Sequence, residues 1–237
     1  VRWVHVRHEE SGAFAAAAES ELNGIACCAG SSGPGHVHLI NGLYDAHRSN
    51  CPVLAIASTC PSDQFGTGYF QETDPIRLFD DCSGYNQMAV TPAQFARMLP
   101  AALQHAIHRR EVAVVGLPGD VAASPCAESP GASGPLPSHG IYRPLDGELR
   151  QLAEMIGSAE RITVFCGIGA REAHDEVVRL AAMLKAPVAY TFKAKMEVQY
   201  DNPYEIGMTG LLGLPSAYGA MHESDLLLLL GTDFPYD

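Results

Sequence analysis

Short apolar runs recur along the chain and have the length and composition of buried strands. Between most of them lie segments whose apolar residues recur with a helical period, at 92–109, 146–157 and 170–185. Continuous apolar strands separated by helices indicate parallel sheets covered on both faces, so the predicted fold class is α/β. The runs are GIACCAG (24–30), CPVLAIAS (51–58), EVAVVGLPGD (111–120), RITVFCG (161–167), APVAYTF (186–192) and DLLLLLGTD (225–233).

The stretch 118–144 breaks this rhythm with repeated prolines and many Ser, Gly and Ala residues. This composition is typical of a linker. The sequence therefore predicts two consecutive parallel-sheet α/β domains, at 1–121 and 145–237, joined by a Pro/Gly/Ser-rich linker at 122–144. The chain begins on Val1 and ends on Asp237 directly after a predicted strand, so we expect domains truncated at both ends.

Composition narrows the classes of function. Fifteen Lys and Arg against 27 Asp and Glu give a formal charge of -12, so we expect no nucleic-acid partner. The seven cysteines form no C-x-x-C pair and are interpreted as reduced thiols of a cytoplasmic protein. The histidines have no ligand spacing, and no metal site is predicted within the chain. No apolar run approaches the roughly 20 residues of a membrane span.

The first candidate for chemistry is the carboxylate of Glu9 in the string RHEE (7–10). Val4 and Val6 alternate as in a strand, and an alanine-rich helix is predicted after Glu9. One interpretation is a first-turn acid that complements the helix dipole. The other is a desolvated carboxylate with a raised pKa that takes part in catalysis. A zincin motif is excluded because Gly12 stands where its second histidine is needed.

A second candidate is the turn after the run 24–30, which contains Gly30, Gly33 and Gly35. It follows a predicted parallel strand at its carboxyl end, where α/β folds bind their ligands. The turn lacks the phosphate-loop motif, and Ala29-x-Ser31-x-Gly33 only approximates a nucleophile elbow. Two interpretations of this segment are possible: a loop that binds a ligand, and a tight turn that needs glycine for its conformation.

A third candidate is the pair Gly167 and Gly169, which follows the strand-like run 161–167 and precedes a helix. This is half of the dinucleotide-binding fingerprint, but Glu172 stands where the third glycine is expected. A tight turn and an anion-binding helix start are both compatible with it.

Taken together, long strings resemble one family, the thiamine diphosphate-dependent enzymes of the pyruvate oxidase and acetohydroxyacid synthase group. The resemblance covers the whole chain and is greatest to bacterial pyruvate oxidase, the quinone-linked pyruvate dehydrogenase. It implies a pyrimidine-binding domain without its first strand and helix, followed by an incomplete Rossmann-like central FAD-binding domain. It also implies a diphosphate-binding domain, which we expect to lie outside this chain. The strings are RHEE, AGSSGPGHVHLINGLYDAHRSNCPVLAIA, GTGYFQETDP, VVGLPGDVA, YDNPYEIGMTGLLG and LLLLGTDFPY.

The function implied by the resemblance is oxidative decarboxylation of pyruvate to acetate and carbon dioxide through thiamine diphosphate, with electrons passing through FAD to a quinone. An acetohydroxyacid synthase-type carboligase is the alternative within the family. A non-catalytic flavin-nucleotide-binding fragment is the alternative from another class. The resemblance also implies Mg²⁺ with ligands outside this chain, and a homodimer or homotetramer. The enzyme would be cytoplasmic or peripheral to the inner face of the membrane, with membrane contact through a region not present here.

The resemblance assigns roles to individual residues. Glu9 would hydrogen-bond the aminopyrimidine ring of thiamine diphosphate, and the small alanines after it would leave room for that ring. Phe70 and Gln71 would reach the substrate side of the reaction centre. The cofactor-binding residues would be Gly33, Pro34 and Gly35 for thiamine diphosphate, and Gly167, Gly169, Thr209, Gly210, Leu211, Leu212, Thr232, Asp233, Phe234, Pro235 and Tyr236 for FAD.

Overall fold

The computed structural model describes residues 2–126 and 142–233. The chain divides into two compact units, Val1–Ile141 and Tyr142–Asp237. The predicted linker at 122–144 overlaps this division, and its residues 127–141 lie outside the described residues. No helix in the described ranges is long and apolar enough to cross a membrane.

The first unit is a parallel sheet flanked by helices, with strand order β1-β2-β4-β3. Its strands are β1 (Ala26–Gly30), β2 (Val53–Thr59), β3 (Tyr85–Met88) and β4 (Val112–Pro118). Its helices are α1 (Glu9–Asn23), α2 (Pro34–Val37), α3 (Leu39–Arg48), α4 (Pro75–Leu78), α5 (Pro92–Arg109) and α6 (Gly119–Ala123).

The second unit is also a parallel sheet, with strand order β7-β6-β5-β8. The predicted fold class, two parallel-sheet α/β domains, is therefore confirmed. The strands are β5 (Ile162–Cys166), β6 (Val188–Tyr190), β7 (Glu205–Met208) and β8 (Leu226–Leu230). The helices are α7 (Asp146–Ser158), α8 (His174–Leu184), α9 (Lys195–Val198) and α10 (Pro215–Glu223).

The strand expected from the alternation of Val4 and Val6 is wrong. Residues 2–6 adopt no regular structure, and the two valines are 66% and 44% exposed. Among the described residues, β1 pairs with β2 alone, so no neighbouring strand lies against residues 2–6. An extended segment without a partner strand leaves its backbone groups to solvent and gains no ladder hydrogen bonds. Glu9 consequently follows an irregular segment instead of a strand.

Helices α1 and α3 pack closely because both present small residues at their contact. The buried face of α1 consists of Ala13, Ala16, Ala17 and Ser20. A Cβ atom on Gly42 of α3 would lie 2.6 Å from Cβ of Ala13. The alanines therefore admit a neighbouring helix rather than a cofactor ring, which corrects the expected use of that space. This packing brings the first turns of α1 and α3 side by side.

Candidate functional site

The candidate residues of the first unit gather where loops leave the carboxyl ends of its parallel strands. Gly33 lies in the loop after β1, Gly35 lies in the first turn of α2 that follows it, and Gln71 lies in the loop after β2. Because parallel strands end at the same edge of a sheet, these loops are neighbours, and this edge is where such folds bind ligands. Helix α1 begins beside the loop after β1 and brings Glu9 to it.

Glu9 is the first residue of α1 and faces the glycine turn. Its side chain is 32% exposed. Its Oε1 atom lies 3.5 Å from the position that a Cβ of residue 35 would occupy, and that position is only 2.3 Å from Oγ of Ser31. Gly35 is buried, so a larger residue there would displace its neighbours. The turn therefore uses glycine to bring backbone and carboxylate close together.

Gly33 and Gln71 are in direct contact across the two loops. Gly33 has φ of 65°, and a Cβ on it would lie 2.7 Å from Cβ of Gln71. Gln71 itself has φ of 57°, an uncommon conformation for a residue other than glycine. The structure thus brings together Glu9, Gly33, Gly35 and Gln71, four of the residues implied by the resemblance. Pro34 is the first residue of α2 between the two glycines.

The loop that carries Phe70 and Gln71 is shaped by Glu72. Its carboxylate accepts hydrogen bonds from the backbone N–H groups of Gly66, Gly68 (2.8 Å) and Tyr69 (3.1 Å). These bonds, that of Gly66 first, lower the pKa of Glu72 because they stabilise the ionised form. Phe70 lies at the exposed tip of the loop, where 76% of its surface meets solvent.

Residues at the start of α3 bind the two acids in the first turn of α1. Nδ1 of His38 lies 3.2 Å from Oε2 of Glu9, and Nδ2 of Asn41 donates to Oε1 of Glu10. Neither His38 nor Asn41 is among the candidates predicted from the sequence. Their spacing of three residues at the start of a helix is the signal that could have identified them, since such residues share a face.

The pKa of Glu9 is lowered, so the expected raised pKa is wrong for the chain as described. The largest cause is a hydrogen bond from the backbone N–H of Glu9 itself, followed by the hydrogen bond from His38. Burial acts in the opposite direction but is the weaker effect, because the carboxylate stands at an exposed helix start. This geometry also fits the helix-start interpretation of Glu9.

His36, directly after the glycine turn, is fully buried and joins the loops after β1 and β2. Its Nδ1 lies 2.7 Å from the carbonyl oxygen of Ser58, and its Nε2 lies 2.6 Å from Oγ1 of Thr73. Burial lowers the pKa of His36, which favours a neutral ring. Nδ1–H then donates to Ser58 while Nε2 accepts from Thr73. Within the described residues, no group of three His, Cys, Asp or Glu side chains could hold a metal ion.

In the second unit, Gly167 and Gly169 lie at the carboxyl end of β5, where the strand order reverses between β6 and β8. A Cβ on Gly167 would lie 2.3 Å from the carbonyl oxygen of Gly231 and 2.6 Å from Cα of Thr232. The N–H of Gly169 donates to the Gly231 carbonyl at 2.9 Å. These glycines therefore allow two backbone segments to touch, which favours the tight-turn interpretation.

The remaining candidates of the second unit differ in their surroundings. Thr209 and Gly210 follow β7, which is separated from β5 by β6. Leu211 is fully exposed and Leu212 is 63% exposed, so this turn projects into solvent. Asp233 is exposed beyond Thr232. Phe234, Pro235 and Tyr236 lie outside the described residues.

Family models match both units of the chain. Residues 1–78 match the thiamine pyrophosphate enzyme N-terminal TPP binding domain, and residues 149–236 match the thiamine pyrophosphate enzyme central domain. The chain belongs to the thiamine pyrophosphate enzymes. The first match includes Glu9, the glycine turn and Gln71, and the second includes every candidate residue of the second unit.

Curated relatives of this thiamine pyrophosphate enzyme chain have differing names. It is 49% identical to an uncharacterized 42.6 kDa protein in the isoamylase 3' region of Pseudomonas amyloderamosa, over 100% of the chain and 60% of that protein. It is 34% identical to a pyruvate oxidase of Lactiplantibacillus plantarum, over 100% of the chain and 40% of the relative. It is 30% identical to an acetolactate synthase large subunit of Corynebacterium glutamicum, over 99% of the chain and 38% of that relative. The chain thus spans between 38% and 60% of the length of these relatives.

Proposed function

We propose that this chain forms part of an enzyme that oxidatively decarboxylates pyruvate to acetate and carbon dioxide with thiamine diphosphate, and that passes the electrons through FAD to a quinone. The observation that carries the proposal is the carboxylate of Glu9 beside the Gly33–Gly35 turn. The pyruvate oxidase relative, which matches along the whole chain, supports the choice of reaction.

The donor set at Glu9 fits an aminopyrimidine ring. His38 occupies Oε2, and no side chain in the described part of the chain donates to Oε1. Oε1 can therefore accept from a protonated ring nitrogen, and such charge-assisted bonds are short and directional. When bound, thiamine diphosphate would supply a nucleophilic carbon that adds to the keto group of pyruvate and takes up the electrons released with carbon dioxide.

The other residues of the site would orient the reactants. Gly33 and Gly35 keep the turn free of side chains, so its backbone can approach a ring closely. The Gln71 side chain is exposed next to Gly33 and offers an amide to a carboxylate substrate. The exposed apolar tip formed by Leu211 and Leu212 is a suitable surface for flavin. For Mg²⁺ we expect ligands outside this chain.

We also propose that the enzyme is a homodimer or homotetramer. The first unit exposes large apolar side chains, among them Trp3 (67%), Val4 (66%) and Leu22 (81%). Exposed apolar groups of this size are common at subunit contacts. Light scattering on the full-length protein tests this proposal, and an active monomer would contradict it.

A carboligase of the acetohydroxyacid synthase type is the second candidate, and the acetolactate synthase relative supports it. The two reactions share the decarboxylation of pyruvate and differ in the fate of the remaining two carbons. Acetate that forms only with a quinone or an artificial electron acceptor supports the oxidase. Acetolactate that forms without an acceptor supports the carboligase instead.

Replacement of Glu9 by Gln in the full-length protein tests the role of the carboxylate. We expect a loss of roughly a hundredfold or more in kcat with pyruvate, because an amide of the same size cannot exchange a proton with a ring nitrogen. Glu10→Gln is the matched control, because it neutralises the neighbouring acid while the amide oxygen of glutamine can still accept from Asn41. Retention of near wild-type turnover by Glu9→Gln would reduce Glu9 to a helix-start residue.

A further inference from the structure

The imidazole of His38 contacts the carboxylate of Glu9 from the start of α3. Nδ1 and Oε2 are 3.2 Å apart, and the two residues are separated by 29 positions in the chain. An ionised carboxylate can only accept hydrogen bonds, so Nδ1 of His38 must carry the proton in this contact. In the neutral ring the other nitrogen, Nε2, is then without a proton. The contact therefore selects one tautomer of His38.

The plane of the His38 ring is fixed by a second histidine. The rings of His38 and His8 are stacked, with centroids 4.6 Å apart and an interplanar angle of 23°. His8 is itself held as the N-cap of α1, where Nδ1 accepts from the N–H of Glu10 at 3.3 Å. The N-cap and the first residue of α1 thus supply the ring that His38 stacks on and the carboxylate that it binds.

A parallel contact one turn later keeps the two helix starts in register. Asn41 of α3 donates to Glu10 of α1, directly beside the pair formed by His38 and Glu9. Close packing of Gly42 against Ala13 fixes the distance between the helices below these contacts. The carboxylate of Glu9 is therefore held from one side, although its side chain is partly exposed.

We propose that His38 is a positioning residue, which binds Oε2 of Glu9 so that Oε1 stays directed at the Gly33–Gly35 turn. The proposal rests on the proposed function of Glu9 and adds a residue that acts through it. His38 would not itself touch the reacting atoms. Among the described residues, the ionisable groups that face Glu9 are His38 before α3 and His8 before α1, with Glu10 as its chain neighbour.

The test compares His38→Leu and His38→Asn in the full-length protein. Leucine removes the donor, whereas the amide nitrogen of asparagine can replace Nδ1. We expect His38→Leu to lower kcat by roughly a hundredfold with little change in KM, as for a displaced catalytic group. His38→Asn should recover most of this loss. His5→Leu, which removes a ring that lies against Trp3, is the control and should behave as wild type.

A second readout follows the contact itself without reference to turnover. The infrared carboxylate band that is present in wild type and missing from Glu9→Gln reports the ionisation of Glu9 as pH changes. Loss of the His38 donor should move this titration to higher pH in His38→Leu, and His38→Asn should restore it, because the hydrogen bond favours the ionised form.

Two results would overturn the positioning role: an unchanged titration of Glu9 in His38→Leu, or unchanged turnover in that variant. If wild type decarboxylates no keto acid, the proposed function fails and the catalytic role of His38 fails with it. The titration separates these cases, since it detects the contact of His38 with Glu9 in an inactive protein as well.

Discussion

Oε1 of Glu9 lies 3.5 Å from the position that a Cβ atom on Gly35 would occupy. This relationship joins the first turn of α1 to the glycine turn after β1. The same point lies 2.3 Å from Oγ of Ser31 and 3.1 Å from its Cβ. A side chain at residue 35 would thus clash with Ser31, which packs against the turn, and would contact Glu9, which is proposed to act in catalysis.

Gly35→Ala should therefore have two separable effects. We expect a loss of about 1–2 kcal/mol in the free energy of unfolding from overpacking against Ser31. We also expect reduced activity, because the new methyl group lies at van der Waals distance from Oε1 of Glu9. Urea unfolding measures the loss of stability, and the rate of pyruvate turnover measures the loss of activity.

The double variant Gly35→Ala with Ser31→Gly separates these effects. Removal of the serine side chain should recover most of the stability but not the activity. Ser31→Gly alone is the control for the change in backbone flexibility. Recovery of both stability and activity in the double variant would mean that Gly35 is needed only for packing against Ser31.

Local signals explain why both ends of helix α5 could be predicted correctly from the sequence. Helix α5 was expected at 92–109 and is observed at Pro92–Arg109. Its start is set by Thr91, whose side chain accepts from the N–H of Gln94 at 3.1 Å, and by a proline at the first position. Its end is set by Arg110 in the left-handed conformation. All of these cues lie within the helix or next to it.

Strands β3 and β7 were missed because partners distant in the chain determine them. The sequence of β3, YNQM, is polar and half-buried, and it becomes a strand by pairing with β4. In β7, Gly207 has φ of 102° and the pairing with β6 is irregular. Neither segment has the continuous apolar character that identified the other strands.

The candidate site could be predicted only in part for the same reason. Composition and spacing alone left Glu9 and the glycine turn as separate features with two interpretations each. The family resemblance connected them, and the fold brings them together. The largest cause of the lowered pKa of Glu9, the hydrogen bond from its own backbone N–H, is local, but the second cause, the hydrogen bond from His38, comes from the packing of α1 on α3 and is contained in no local pattern.

The crossing of α1 and α3 should be intolerant of a single methyl group. A Cβ on Gly42 would lie 2.6 Å from Cβ of Ala13 and 2.9 Å from the backbone nitrogen of Phe14. We expect Gly42→Ala to lower the free energy of unfolding by about 1–3 kcal/mol, because backbone atoms cannot move aside as a side chain can. Thermal unfolding followed by circular dichroism measures this.

Gly12→Ala on α1 is the matched control. Its new Cβ would meet only the end of the Val6 side chain, at 3.1 Å. Alanine also has a higher helix propensity than glycine by up to about 1 kcal/mol, so this variant should be neutral or more stable. Equal destabilisation by both variants would argue against a specific contact at Gly42.

The loop of Phe70 and Gln71 should lose its order when Glu72 is replaced by Ala. Three backbone N–H groups, those of Gly66, Gly68 and Tyr69, would lose their common acceptor. We expect faster hydrogen exchange at these amides and little change in the core strands. Glu72→Gln, which keeps one acceptor oxygen, should lie between wild type and Glu72→Ala. Unchanged exchange in both variants would mean that the loop holds its shape without this carboxylate.

The last prediction concerns acid stability at the contact between Asp120 and Ser62. The carboxylate of Asp120 accepts from the N–H of Ser62 at 2.8 Å and from its hydroxyl at 2.6 Å, which joins the loop after β2 to the start of α6. These two bonds, the hydroxyl first, lower the pKa of Asp120 below its ordinary value of 3.8. A proton therefore binds the unfolded chain more readily than the folded one.

It follows that the stabilisation by Asp120 is fully present above its ordinary pKa and is lost as pH falls through the lower pKa of the folded state. The difference in unfolding free energy between wild type and Asp120→Asn should thus be greatest near neutral pH and should shrink in acid. Urea unfolding at a series of pH values measures it, and subtraction of the variant cancels the other carboxylates that titrate in both proteins. Asp63→Asn, at an exposed acid beside Ser62, serves as the control. A difference between wild type and Asp120→Asn that stays constant from neutral pH into acid would mean that the contact does not depend on the charge of Asp120.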